Sequence, residues 1–220
     1  MNLLLLFVDE LMGFYKSKVM ISLWTGLPLV SILFHFLSSN TGSPIPFTVV
    51  SAIVVSSLAG TLASVMLAVS IINEKNRHVY ELFLIRPLKR RNIIIAKFLS
   101  VYVCIAVAAI LAIILGMVAD YLTTGTLSET VLSNTFQSLS ISLSMMATSC
   151  AAGVLIGVVS PSVLVGAILV IYGGNQISAL PLLPSILNPT NPALFTISLG
   201  ALMSIILLIL AISIFDRKQF

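Results

Sequence analysis

The sequence predicts an all-α membrane protein: six transmembrane helices, an amphipathic helix lying on the membrane ahead of them, and a short cytoplasmic helix between the second and third spans. Three observations carry this. The first is composition. Of 220 residues, 59% are hydrophobic and 8% are charged, whereas a soluble domain carries roughly 25% charged residues. Too little polar side chain remains to cover a water-facing surface, so lipid is the solvent for most of the chain. The second is pattern. The apolar runs are about 20 residues long and do not alternate, which fits helices rather than barrel strands. Backbone groups in lipid must be satisfied internally, and helices do this within one segment. The third is that all eleven Lys and Arg fall in alternate connections.

The first element is residues 1–18, "MNLLLLFVDELMGFYKSK". It lacks the basic start of a secretory signal, and its apolar run ends at Asp9-Glu10. Wound as a helix, it puts Leu3, Phe7, Leu11 and Phe14 on one face with Leu4 beside it, and Asp9 and Lys16 on the other. That suits a helix lying in the inner headgroup layer. Residues 19–220 then read as a single six-helix domain. Its spans are Val19–Leu37, Phe47–Ile72, Phe98–Ala119, Val131–Val159, Ser162–Leu180 and Ala193–Phe215. Prolines and glycines blur the last two. Lys16 and Lys18 precede the first span, and Arg217 and Lys218 follow the last. The other seven basic residues run from Lys75 to Lys97, between spans 2 and 3. The opposite connections hold no Lys or Arg. Both termini and the basic loop are therefore expected in the cytoplasm of a cell-membrane protein.

Within the loop 73–97, the stretch "NEKNRHVYELFLIRPLKRRN" is the longest polar run. The chain is expected to leave the membrane at Asn73-Glu74-Lys75. From Asn76 to Arg86 the residues Val79, Leu82, Phe83 and Arg86 follow helical spacing. Pro87 ends that helix, because a residue before proline is pushed out of the helical region. Two readings remain open at this point. A basic loop can rest on anionic headgroups, each Lys or Arg contributing about 1 kcal/mol. Lipid would repel Glu74 and Glu81, however, while a cytoplasmic protein partner accommodates both signs.

The residues exclude several activities. There is no G-x-x-x-x-G-K-[ST] phosphate loop and no H-E-x-x-H. His35 and His78 are far apart, and Cys104 and Cys150 are lone thiols inside spans, read as packing residues. No catalytic residue, metal site or cofactor of its own is expected, and no nucleic-acid partner. The spans read as free of interior charge, which argues against an ion-coupled carrier and for an external energy source.

The order "NEKNRHVYELFLIRPLKRRNIIIAKF" resembles the segment between the second and third membrane helices of ABC-2 type transporter permeases. The matching features are Glu74-Lys75, Glu81-Leu82, Pro87, Lys89-Arg90-Arg91 and Lys97-Phe98. The N-terminal helix and "LPLLPSILNPTNP", with Asn188-Pro189, resemble the family's elements too. The chain departs from it in the short loop "SPS", which lacks a basic residue, and in its short outer loops. The resemblance implies a permease subunit of an ATP-driven exporter. Its coupling helix would seat in a separate ATP-binding subunit, which would carry the ATP and Mg. The coupling set it implies is Glu74, Arg77, Glu81, Leu82, Phe83, Arg86 and Pro87, with Arg77 and Glu81 as polar contacts and Leu82 and Phe83 as apolar anchors. A second permease subunit, identical or not, would complete the membrane part. The competing reading is a non-transporting scaffold or regulator held to lipid by its basic loop.

A weakly polar path is also legible. Ser57, Thr61 and Ser64 share a face of span 2, and Gln137, Ser140 and Ser144 are at helical spacing in span 4. Asn175 follows an expected break at Tyr172-Gly173-Gly174, and Gly173 with the prolines after Leu180 (Pro181, Pro184, Pro189 and Pro192) permits, without demanding, a span 5 that re-enters from outside as a short helix. The candidate translocation set is Ser57, Thr61, Gln137, Ser140, Ser144 and Asn175. The alternative for the small residues is close helix packing, for which Gly153-x-x-x-Gly157 is the usual pattern.

Overall fold

The computed structural model describes residues 3–38, 47–77, 90–124, 129–183 and 192–217. Every regular element among them is helical. α1 (Leu3–Tyr15) leads into α2 (Lys18–Ser38) through a tight corner. There the Ser17 hydroxyl accepts from the Met20 amide at 3.2 Å, capping an otherwise unpaired donor at the start of α2. α3 (Phe47–Asn76), α4 (Arg90–Thr124) and α5 (Glu129–Val159) have 30, 35 and 31 residues. At 1.5 Å per residue they are about 45 Å or longer, and so overrun a hydrocarbon core of about 30 Å.

The next span is built from several turns. α6 (Val163–Leu169) is capped by Ser162, whose hydroxyl accepts from the Val165 amide at 3.4 Å. A π-helical turn (Val170–Gly174), α7 (Asn175–Ser178) and a 3-10 turn (Leu180–Leu182) follow, with Ala179 alone between the last two. α8 (Pro192–Arg217) closes the chain, with Pro192 at its first position, where no amide donor is required.

Among the described residues, five helices are long and apolar enough to cross a membrane: Ile53–Asn76, Arg91–Val118, Thr135–Val159, Val163–Leu182 and Ala193–Arg217. α2 offers a shorter apolar stretch, Lys18–Leu33.

α5 is the central helix, with 83% of its span buried within the chain, against 17% for α8. It packs on α3 on one side and α8 on the other. The contact with α3 is a backbone approach. A Cβ on Gly153 would lie 2.6 Å from the Ser64 carbonyl oxygen, and one on Gly157 would lie 3.0 Å from the Ala68 Cα. Leu67, Ile71, Ile94, Ile105, Met146 and Val154 fill the core around this seam. The Gly153/Gly157 pattern is thus a packing device, as that spacing allows.

The structure corrects three boundaries. α3 does not end at Ile72 but winds on through Asn73, Glu74 and Lys75 to Asn76, so Asn76 closes this helix rather than opening the next. α4 starts at Arg90, about two turns before the expected start at Phe98, and takes Lys97 into the bundle. The Tyr172–Gln176 stretch does not break. Gly173 and Gly174 are absorbed by the π-helical turn, which keeps the backbone paired where a break in lipid would strand it. The coupling helix lies outside the described residues except for Asn76 and Arg77. So does most of the proline-rich turn expected to precede a re-entrant segment.

Candidate functional site

Among the described residues, the long-range contacts of charged side chains gather at one end of the bundle. Lys75 Nζ donates to the Ser160 carbonyl at 3.4 Å, joining the ends of α3 and α5. Arg91 Nε donates to Asp216 Oδ2 at 3.1 Å, joining the start of α4 to the end of α8. The ends that carry basic residues therefore lie together.

The centre of this end is Lys97. Its side chain is 3% exposed. An ammonium is rarely buried without partners, and this one has two carboxylates. Glu10 Oε1 from α1 lies 2.9 Å away, and Glu74 Oε1 from α3 lies 2.5 Å away. Ser70 donates to Glu74 Oε1 at 3.3 Å and lies 3.5 Å from the ammonium. The Phe14 ring centroid stands 5.6 Å from Nζ, within cation–π range. One ammonium thus ties three helices.

α1 reaches this seat because Leu6, Glu10 and Phe14 recur every fourth residue and share a face. Leu6 and Phe14 are buried, and Phe7 and Leu11 pack against the core. Phe7, Leu11 and Phe14 of the expected stripe turn inward, joined by Leu6 and Glu10, and they pack on the bundle rather than on the headgroup layer; Leu4 faces out. A cavity of about 470 Å³ opens beside the ion cluster, lined by Asp9, Glu10, Ser17, Ser70, Glu74 and Lys97 on its polar side. Burial pushes the Glu10 carboxyl above its ordinary range; Lys97 pulls it back, and Glu74 and Asp9 add to the rise. The cluster holds helices together. It presents no paired nucleophile and base, and among the described residues no group of His, Cys, Asp or Glu is arranged to hold a metal.

The family model of ABC-2 family transporter proteins matches residues 6–216, from the docking face of α1 to the end of α8. The chain belongs to the ABC-2 transporter family. No curated protein matches it significantly. The ABC-2 permease is accordingly a multi-pass membrane protein and a component of a membrane transporter, carrying transport rather than catalysis.

Of the coupling set, Glu74 belongs to the Lys97 cluster and Arg77 is exposed just past α3, its amide donating to the Asn73 carbonyl at 3.0 Å. Glu81, Leu82, Phe83, Arg86 and Pro87 lie outside the described residues.

The candidate path residues do not converge. Ser140 and Ser144 line a groove of about 300 Å³ between α4, α5 and α8, together with Phe98, Tyr102 and Ser204. Ser57 and Thr61 do not line it, and Thr61 donates back to the Ser57 carbonyl of its own helix at 2.9 Å. Ser140 likewise donates to the Gln137 carbonyl at 2.7 Å. Such back-bonding satisfies a hydroxyl inside one helix without a substrate. Gln137 is half-buried and Asn175 exposed.

Glu10 and its pairing with Lys97 are not legible in the sequence. The four-residue spacing of Leu6, Glu10 and Phe14 was the available signal, but it does not say which helix supplies the cation.

Proposed function

We propose that the permease is the membrane subunit of an ATP-driven exporter, driven through its loop between α3 and α4 by a separate ATP-binding subunit that holds the ATP and Mg. In this reading α2 is the sixth span and the basic end faces the cytoplasm of the cell membrane. The stretch from Arg77 to Arg86 acts as the coupling segment, and a second permease subunit completes the path. The observation that carries the reading is the tie between Glu74 and Lys97, which flank the loop. A loop fastened at its base passes a push into both α3 and α4, whereas a slack loop would absorb it. Family membership supports a partner that supplies the energy.

The test is replacement of Glu81 with Ala, and of Leu82 and Phe83 together with Ala, in the complex purified from membranes. Both variants are expected to insert normally, to lose most of the co-purifying ATPase and to stop transport. Normal transport and co-purification in both would defeat the proposal.

A further inference from the structure

α1 has two apolar faces. One is seated on the bundle through Leu6, Phe7, Leu11 and Phe14. The other turns outward: Leu4, Leu5 and Met12 are 71%, 58% and 57% exposed. With both, it has a second place to lie, the headgroup layer of the membrane.

The seat itself is unbalanced. Glu10 faces Lys97 from α4 and Glu74 from α3, with Asp9 next to it on α1, and these are the only charged groups lining the cavity among the described residues. Two carboxylates share one ammonium, and the exposed Asp9 carboxylate stands beside them. Glu74 holds the shorter contact and the additional Ser70 hydroxyl. Glu10 meets the same ammonium with both oxygens, at 2.9 and 3.0 Å, so it loses water for a share of a cation that Glu74 also holds, and desolvation of a buried ion can exceed its Coulombic gain.

We propose that α1 is a detachable latch, and that its docking on α3 and α4 is coupled to proton uptake at Glu10. Loss of the proton leaves the seat with surplus negative charge and favours release of α1 toward the membrane surface. The sign follows from linkage. Burial is the largest influence on Glu10 and raises its affinity for a proton in the docked state. A group raised in the docked state stabilises docking most below its ordinary value of 4.5, and that stabilisation is lost as pH rises through the raised value. Acid therefore tightens the latch and neutral pH loosens it. If the ion pair to Lys97 were the dominant hold, protonating Glu10 would do the opposite.

The experiment measures the distance between spin labels at Met12→Cys and Asn73→Cys, both exposed positions. The background is Cys104→Ala/Cys150→Ala, in the full chain in lipid nanodiscs, without ATPase or nucleotide. A failure of ATP coupling therefore leaves this result untouched. One short-distance population is expected at about pH 4, below the ordinary carboxyl value, with a longer one growing at least about threefold in fraction as the pH is raised to about 8. Glu10→Gln is expected to stay short at both. Glu74→Gln, which frees Lys97 for Glu10 alone, serves as the second variant and is expected to flatten the pH response. A distribution independent of pH, or a longer population that grows toward acid, would overturn the proposal.

Discussion

At the scale of single residues, Lys97 decides most. Removing its charge leaves Glu10 and Glu74 facing each other across a poorly solvated gap. Breaking a buried pair from one side typically costs about 3–5 kcal/mol. Lys97→Met is expected to lower thermal stability by that order, read by Trp24 fluorescence in detergent. The triple variant Lys97→Met/Glu10→Gln/Glu74→Gln has no uncompensated charge and is expected to recover most of the loss, because the cost belongs to the stranded carboxylates. A triple variant no more stable than Lys97→Met would assign the loss to the lysine's own packing. By contrast, Arg91 and Asp216 are 68% and 35% exposed, and such a pair contributes about 0–1 kcal/mol. Sequence alone treats Lys97 and Arg91 alike, as members of one basic run. Burial separates them, and burial depends on how far α4 extends before the membrane.

At the scale of elements, the seam between α3 and α5 is set by missing side chains. Gly153→Ala places a methyl against the Ser64 backbone, which cannot yield as a flexible side chain would. The expected loss is about 1–3 kcal/mol in thermal or denaturant unfolding. Gly173→Ala meets nothing within 4 Å and is expected to melt like the parent. If both glycines tolerate alanine equally, the α3–α5 approach is looser than described. This seam was legible in advance because small residues four apart are a local pattern. The π-helical turn at Val170–Gly174 was not: two adjacent glycines suggest a break, but the need to keep backbone groups paired in lipid favours one widened turn. The docking face of α1 was half legible. Phe7, Leu11 and Phe14 announce an apolar stripe, but an acid at Glu10 reads as solvent-facing until a buried cation is found opposite.

At the scale of the whole molecule, composition is enough for a membrane protein, since 8% charged residues cannot clothe a soluble surface, and the long, non-alternating apolar runs are enough for helices. The joined ends of α3, α4, α5 and α8 agree with the clustering of basic residues read from the loops. Cysteines at Ser43 and Ser128 are expected to react with a membrane-impermeant maleimide on intact cells, and one at Lys89 only after the cells are opened. Labelling of the Lys89 position from outside would invert the proposed orientation. What composition cannot supply is which side chains meet across helices, since pairings such as Lys97 with Glu10 span 87 residues of sequence.

The short tie between Glu74 and Lys97 makes the intervening stretch behave like the loop of a stem-loop, closed at its base by the protein's own bundle. Such a stretch is an exchangeable cartridge. Exchanging only the residues between Arg77 and Arg90 for those of another permease spares Lys75, Arg91 and Ile94 and so leaves the stem intact; under the proposed function it is expected to redirect the choice of motor without rebuilding the bundle.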